Sequence, residues 1–235
     1  MTGYQDWHDP VAESYAATIA YKVPGYQLLH ELTIDVLETE LKGTAPRILT
    51  VGAGGGEEII NMLQRKEDWL ITGVDPSPTM LDMAKRRVSQ LQMEARVTWH
   101  ETLLDKISAE PVYDAAVNLL VIHFIENRLS FLKEIARRLQ PGAPFVLAFI
   151  QGEMKSHAFQ QELHMLSLFM KRQDLEKDMF TSFQNRLGRS THPVPEEEIR
   201  EELIEAGFED IRPYFQAGMI KGLVCKRGHR EAEKK

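Results

Sequence analysis

Segments with strand-like spacing alternate with segments of helical spacing through the middle of the chain, and this alternation is the strongest constraint on its fold. Residues 47–51 form an apolar run typical of a buried strand, residues 57–66 have helical spacing, and residues 69–75 are again strand-like. Successive parallel strands need a crossover connection, usually a helix, so this pattern produces a mostly parallel sheet covered on both faces. The sequence therefore predicts a doubly wound, Rossmann-like α/β fold with seven strands.

The remaining elements continue the pattern. We predict a helix over 76–91, a third strand at 95–100, a fourth at 113–119, a helix at 126–139 and a fifth strand at 145–150. After residue 194 the sequence returns to helical spacing, reaches Gly207 as a helix cap, and ends in two strands.

Two regions depart from this alternation, within what we predict to be a single domain of residues 1–235. We divide the chain into an N-terminal helical lid at 1–44, a cofactor-binding core at 45–152, a helical insertion at 153–194, a C-terminal helix with strands at 195–226, and a flexible tail at 227–235. The insertion is rich in Met, including Met154, Met165, Met170 and Met179. Its apolar face is expected to pack as core or, alternatively, to face a substrate, since Met suits irregular pockets.

Charge and cysteine content exclude several classes of protein. The 35 acidic residues exceed the 28 basic residues, and the net charge of -7 has the wrong sign for general adhesion to nucleic acid or to anionic membranes. Cys225 is the single cysteine, and no run of eighteen apolar residues is present. With no signal-peptide pattern at the start, we expect a soluble, reduced, cytoplasmic protein with no membrane or nucleic-acid partner.

A glycine-rich loop, residues 51–56, joins the first predicted strand to the next helix. Glycine is needed where the backbone turns to positive φ or where a ligand approaches it closely. The dinucleotide fingerprint would require a third glycine where this chain has Glu57. Glu57 and Glu58 would also repel a pyrophosphate at the start of the helix. The loop thus favours the cationic sulfonium of S-adenosylmethionine over NAD, and a glycine turn without a ligand is the alternative.

Polar residues at the ends of the predicted strands complete a candidate site. Asp75 ends the second strand, where a carboxylate can accept both hydroxyls of a ribose, although it could equally cap the following helix. Glu101 and Thr102 follow the third strand and could receive an adenine amino group. Asn118 is a lone polar residue in an apolar run; its amide needs partners, which are a ligand or the loop backbone.

Five motifs together resemble the class I S-adenosylmethionine-dependent methyltransferases over residues 45–225: VGAGGG, GVDPSPTMLDMAK, DAAVNLLVIHFI, LQPGAPFVLAF and EELIEAGFEDI. The resemblance implies roles in cofactor binding for Gly52, Ala53 and Gly54 at the methionyl part, for Asp75 with Pro76 and Met80 at the ribose motif, and for Glu101 and Thr102 at adenine. Family members often carry an acid two residues before the first glycine. This chain has Thr50 at that position, so we expect the methionyl part of the cofactor to be held differently.

A narrower resemblance lies outside the core. The segments AESYAATIAYKVPGY, FQQELHMLSLFMKRQDLE and AGFEDIRPYFQAGMIKGLVCKR look like those of the bacterial carboxy-S-adenosylmethionine synthases of tRNA wobble-uridine modification, which react S-adenosylmethionine with prephenate. This resemblance makes Tyr26 and Asn118 cofactor contacts and implies a homodimer. Those enzymes hold the ligand carboxylate with an arginine; here Glu202 takes its place and would repel a carboxylate. We therefore expect a relative that retains ordinary methyl transfer.

The predicted function is transfer of a methyl group from S-adenosylmethionine to a small-molecule acceptor, with no metal site. Carboxy-S-adenosylmethionine synthesis, an NAD-dependent oxidoreductase and a catalytically silent binding protein are the alternatives. His123, after the fourth strand, is the candidate catalytic base, with a structural role as its alternative. His157, His164, Tyr15 and Tyr21 are expected to serve packing or to lie at the surface.

Overall fold

The computed structural model describes residues 18–173 and 177–229, and it is built on one sheet of seven strands. The strands are β1 (Arg47–Val51), β2 (Leu70–Asp75), β3 (Val97–Glu101), β4 (Ala115–Leu119), β5 (Pro144–Ile150), β6 (Phe208–Ala217) and β7 (Ile220–Arg227). Their order is β3-β2-β1-β4-β5-β7-β6. The first five are parallel, and β7 runs antiparallel to both β5 and β6. The predicted doubly wound fold is confirmed.

Helices cover both faces of this sheet. They are α1 (Tyr26–Glu40), α2 (Glu57–Arg65), α3 (Pro78–Gln90), α4 (Arg128–Arg138), α5 (His157–Arg172), α6 (Lys177–Arg186) and α7 (Glu196–Glu205). Residues 18–22 are also helical. Within the described ranges, no helix combines the length and the apolar character that a membrane span requires.

Alternation along the strands divides the core into two layers. On β1, Ile48 packs with α1, α2 and α3, whereas its neighbour Leu49 packs with α4 and α7. On β5, Val146 and Leu147 divide between the same two layers. Successive side chains of a strand point to opposite faces, so a strand covered on both sides is apolar throughout. This explains why β1, β4 and β5 are mostly apolar, with Thr50 and Asn118 as buried polar exceptions.

Several predicted boundaries differ from the structure by a few residues, and two of these differences have a local cause. The third strand was expected at 95–100, but residues 94–96 form a 3₁₀ turn and β3 begins at Val97. The helix expected from residue 126 begins at Arg128, because the Asn127 side chain accepts a hydrogen bond from the Ser130 N–H at 3.0 Å. Asparagine at this position satisfies an otherwise unpaired donor of the first turn.

The helical insertion after β5 forms α5 and α6. Phe159, Leu163, Leu166 and Met170 are buried along one face of α5, whereas Met165 is 47% exposed. The insertion therefore adds to the core, as expected from its spacing. His157 and His164 lie on its exposed face and Tyr21 is also exposed, whereas Tyr15 lies outside the described residues.

Gly56 permits the close approach of α2 to α3. Its φ is +80°, and a Cβ built there would lie 2.8 Å from the Cβ of Ala84 on α3. Gly43 also has positive φ, +92°, but a Cβ there would meet nothing within 4 Å. Comparing substitutions at these two glycines separates the cost of backbone strain from the cost of steric overlap.

Substituting Gly43→Ala is expected to lower the free energy of unfolding by about 1 kcal/mol, the cost of a side chain at positive φ. Gly56→Ala is expected to cost about 1–3 kcal/mol more, because overlap with Ala84 is added to the same strain. Urea unfolding followed by circular dichroism measures both. An equal decrease in the free energy of unfolding for the two variants would show that α2 and α3 can move apart at no energetic cost.

Candidate active site

A cavity of about 180 Å³ opens at the carboxyl ends of the parallel strands, where the strand order reverses between β1 and β4. This switch point is where open α/β sheets bind ligands. Eight of the residues predicted to bind the cofactor line this cavity: Tyr26, Gly52, Ala53, Gly54, Asp75, Pro76, Met80 and Thr102. Residues from four separate stretches of the sequence thus meet at one place.

Asp75 connects the glycine loop to the end of β2. Its Oδ2 accepts the Gly54 N–H at 2.8 Å, and its Oδ1 accepts the Ser77 N–H at 2.8 Å. The N-cap of α3 is Ser77, so Asp75 is not the helix cap. Burial raises the pKa of Asp75, although both backbone donors act in the opposite direction. Each carboxylate oxygen can accept a further hydrogen bond, so the group can hold the loop and a ligand together.

The first two glycines of the loop have different structural roles. A Cβ on Gly52 would lie 2.5 Å from Val121 Cγ2, so this glycine is required by packing against the segment after β4. Gly54 has a φ of +47° and donates its N–H to Asp75. Here the nearest atom to a Cβ is Met80 Cε at 3.4 Å. Gly54 therefore presents open backbone to the cavity.

The charge at the start of α2 differs from the sequence-based expectation. Glu57 pairs with Arg87 of α3 at 2.6 Å. Burial raises the pKa of Glu58 to about 8, and the negative charges of Glu57 and Asp75 act in the same direction. The sequence predicted two negative charges here, whereas burial favours the protonated form of Glu58 at neutral pH and Glu57 is paired with Arg87. Arg87 lies on α3, 22 residues after Arg65, the last residue of α2. Only the packing of the two helices shows that Arg87 pairs with Glu57.

His30 of α1 was not identified from the sequence. It is 4% exposed and lines the cavity, with its ring 4.5 Å from the Tyr26 ring in an edge-to-face arrangement. Neither ring nitrogen has a hydrogen-bond partner among the described residues. Burial lowers the pKa of His30 to about 4, so the ring is neutral at pH 7. The spacing of four from Tyr26 on a helix was the available signal.

Two of the predicted cofactor residues do not line the cavity. Glu101 ends β3 in register with Asp75 and is exposed. Asn118 is fully buried and donates its amide N–H to the Val51 carbonyl at 2.8 Å, which is the loop-backbone alternative. Its Oδ1 has no partner among the described residues. A cofactor role for these two side chains stays a prediction.

His123 lines a second cavity, of about 70 Å³, instead of the larger one. Its Nδ1 accepts the Ile150 N–H at 3.4 Å, and burial lowers its pKa to about 3. With Nδ1 acting as the acceptor, the neutral ring carries its proton on Nε2. A proton acceptor with this pKa is weak at neutral pH, so the surroundings do not support the predicted role as a base.

Glu202 does not line either cavity. On α7, its carboxylate binds the Arg128 guanidinium of α4 through two hydrogen bonds of 3.0 and 2.9 Å. Arg200 pairs with Glu196 and also binds the Ile211 carbonyl. Glu202 was expected to repel a ligand carboxylate, and its place in this ion pair removes that reason for excluding a carboxylated cofactor.

Part of this chain is similar in sequence to known methyltransferases. Residues 49–145 match the family model described as a methyltransferase domain. A ubiquinone biosynthesis O-methyltransferase of Coxiella burnetii is 21% identical over 155 residues, which cover 66% of this chain and 61% of that protein. The chain thus spans less than two thirds of this relative.

Solved structures share the fold. An O-methyltransferase family 2 protein of Planctomyces limnophilus, in complex with apigenin, has a TM-score of 0.68 at 16% identity, covering 95% of this chain and 63% of that one. A magnesium protoporphyrin IX methyltransferase of Synechocystis, with bound SAH, has a TM-score of 0.62 at 16% identity, covering 87% and 84%.

The strand order and the helices on both faces define a Rossmann-like α/β fold, with a cavity at its switch point. The matched family model makes the description narrower: residues 49–145 are similar to a methyltransferase domain. The narrower resemblance to the carboxy-S-adenosylmethionine synthases stays a prediction.

Proposed function

We propose that this chain binds S-adenosylmethionine in the larger cavity and transfers its methyl group to a small-molecule acceptor. The observation that carries the proposal is the convergence of Gly54, Asp75 and Thr102 on one cavity at the switch point of the sheet. The related Synechocystis enzyme contains SAH, and the matched family model is a methyltransferase domain.

The residues present fit the nucleoside part of this cofactor. Asp75 ends β2 and can accept the ribose hydroxyls while it holds the Gly54 N–H. Pro76, Met80 and Leu103 provide apolar lining, and Thr102 a hydroxyl, for the adenine. When bound, S-adenosylmethionine supplies a methyl carbon whose bond to sulfur breaks, its electron pair passing to sulfur, as the acceptor atom bonds to that carbon.

The residues that line the larger cavity also fit the positively charged part of S-adenosylmethionine. Thr50 stands where related enzymes often have an acid, and its side chain is fully buried. Glu58 lines the cavity in the first turn of α2 and supplies a carboxyl group there. A cation beside Glu58 would favour its ionised form and offset the cost of burying the charge. His30 adds two ring nitrogens that a ligand can satisfy.

A small acceptor is supported by the apolar surroundings and by the names of similar proteins. One relative is named for ubiquinone biosynthesis, and one structural neighbour was solved with apigenin. The walls beyond the glycine loop are apolar, with Leu120, Phe124 and Ile125 among them. Such walls exclude water from the reacting groups, and in-line transfer needs chiefly that exclusion and correct positioning.

Calorimetric titration of the purified protein with S-adenosylmethionine, S-adenosylhomocysteine, carboxy-S-adenosylmethionine and NAD tests the proposal. We expect the first two to bind and NAD to show no heat of binding. A preference for carboxy-S-adenosylmethionine would favour the synthase alternative, which Glu202 no longer argues against. Absence of binding by all four would contradict the cofactor assignment. The homodimer and the cytoplasmic location stay predictions.

A further inference from the structure

The ring of His30 is buried at the larger cavity with both of its nitrogens unpaired. The side chain is 4% exposed and packs edge-to-face on Tyr26, and neither nitrogen has a hydrogen-bond partner among the described residues. A buried polar group without a partner destabilises a fold. Because His30 lines the cavity, a ligand bound there can supply the partner that the described residues do not.

Three acids are found among the described residues that line this cavity, and two of them are already engaged. Glu57 pairs with Arg87 at 2.6 Å. Asp75 accepts two backbone N–H groups at the end of β2, where the ribose is proposed to bind. The third acid, Glu58, is 8% exposed and lies in the first turn of α2. Glu58 is therefore the acid that remains for a cationic group of the ligand.

Arg87 is the single cation that the described residues place in the wall of this cavity, and its guanidinium is engaged as well. It donates to the Gly55 carbonyl at 2.8 Å and pairs with Glu57. The neutral ring of His30 carries one N–H, which no described residue accepts. An anionic group of the ligand therefore finds a donor in His30.

The order of the strands places His30 and Glu58 at the amino-acid end of the cofactor. Asp75 ends β2 and Thr102 follows β3, so the ribose and the adenine, as proposed above, lie over these two strands. The next strand is β1, whose glycine loop leads into α2 with Glu58, and α1 with His30 packs against α2. Thr50, where related enzymes often have an acid, does not line the cavity.

We propose that His30 and Glu58 together bind the methionyl amino-acid group of S-adenosylmethionine, the His30 N–H donating to its carboxylate and the Glu58 carboxylate accepting from its ammonium. This inference rests on the cofactor binding proposed above. The two charges of the ligand thereby meet a donor from α1 and an acceptor from α2. The acid that the chain lacks at Thr50 is supplied by Glu58.

Binding of the ammonium releases a proton from Glu58 to the solvent. Burial raises the pKa of Glu58 to about 8, and the negative charges of Glu57 and Asp75 act in the same direction. Arg87 and the backbone N–H of Glu58 itself oppose this shift. At pH 7 the free protein thus holds a proton whose loss a neighbouring ammonium favours. His30 stays neutral at this pH, because burial lowers its pKa to about 4 against the opposing charge of Glu57.

Three ligands separate the two contacts in calorimetric titrations. S-adenosylhomocysteine carries the carboxylate and the ammonium, its decarboxylated form S-adenosyl-3-thiopropylamine keeps only the ammonium, and 5′-methylthioadenosine has neither. None of them is a sulfonium, so that charge cannot cause a difference between them. We expect the affinity of the wild type to fall about tenfold or more at each removal, the loss of one charged hydrogen-bonded contact.

Two variants assign each contact to its side chain. His30→Phe keeps an aromatic ring against Tyr26 and removes both nitrogens; we expect about tenfold weaker binding of S-adenosylhomocysteine and unchanged binding of the thiopropylamine. Glu58→Gln is expected to weaken both of these ligands about tenfold or more and to leave 5′-methylthioadenosine unchanged. His164→Phe, on the exposed face of α5, is the matched control and should bind all three ligands as wild type does.

The stability of the ligand-free protein distinguishes a binding role from a structural one. His30→Phe should raise the midpoint temperature of unfolding, because two unpaired buried nitrogens are removed while the ring is kept. A histidine that serves only the fold would give a lower midpoint. This measurement does not depend on any ligand.

Titration at pH 7 in two buffers of different ionisation enthalpy measures the proton. We expect release with S-adenosylhomocysteine, none with 5′-methylthioadenosine, and none with either ligand in Glu58→Gln. Losses of affinity that are absent or equal for all three ligands, or a release that is missing from wild type or persists in Glu58→Gln, would overturn the inference. Failure of all three ligands to bind wild type would instead contradict the cofactor assignment.

Discussion

Asp75→Asn is expected to weaken the binding of S-adenosylmethionine about 100-fold, because charged hydrogen bonds to the ribose and one backbone contact are lost together. The carboxylate accepts the N–H groups of Gly54 and Ser77 at 2.8 Å each, and asparagine has one acceptor oxygen for these two donors. The variant would therefore lose a hydrogen bond between the glycine loop and the end of β2 as well as a contact with the ligand. Calorimetric titration of wild type and variant measures the change.

Asp82→Asn is the matched control for this experiment. Asp82 lies on the exposed face of α3, where it pairs with Lys85, and it is outside the residues that line the larger cavity. We expect wild-type affinity for this variant. Thermal unfolding without ligand shows how far Asp75→Asn also destabilises the fold. An Asp75→Asn variant with unchanged affinity would mean that the carboxylate serves only the loop.

Glu58→Gln is expected to change the pH dependence of stability more than any other single substitution in the cavity. Burial raises the pKa of Glu58 from 4.5 to about 8, so the folded protein holds a proton that the unfolded chain releases. The stability contributed by the protonated group is fully present below about pH 4.5 and is lost as the pH rises through 8. The loss is on the order of 1 kcal/mol per pH unit across this window.

Glutamine cannot ionise, so Glu58→Gln should show a smaller fall in stability between pH 5 and pH 8 than wild type. Glu57→Gln provides a contrast of opposite sign. Although burial opposes it, the ion pair with Arg87 lowers the pKa of Glu57, and its stability is present above the unfolded pKa and lost on acidification. Urea unfolding at several pH values measures both. Parallel pH profiles for wild type and Glu58→Gln would show that Glu58 is solvated.

Local signals in the sequence identified most of the fold. The apolar runs of β1, β4 and β5 and the helical spacing of α2 and α3 depend on neighbours in the chain, and the strand alternation specifies the parallel sheet. Because parallel strands present their carboxyl ends on one edge, the glycine loop, Asp75 and Thr102 were predicted to lie together, and they do.

Properties that depend on the packing of distant segments could not be predicted from the sequence. The pKa of Glu58 is set by burial beneath elements far from it in the chain, and the pairing of Glu57 with Arg87 joins two helices. Glu202, expected at the ligand, binds Arg128 on α4. The second cavity brings Lys22 and Arg186 together across more than half of the chain.

The sequence by itself thus determined the architecture, the glycine loop and the acid at the end of β2, because hydrophobic period and turn chemistry act over a few residues. The tertiary structure alone decided which acids are buried or paired, and that His123 does not line the larger cavity. Burial and electrostatic environment arise from atoms that meet only in the folded chain, and no local pattern in the sequence encodes them.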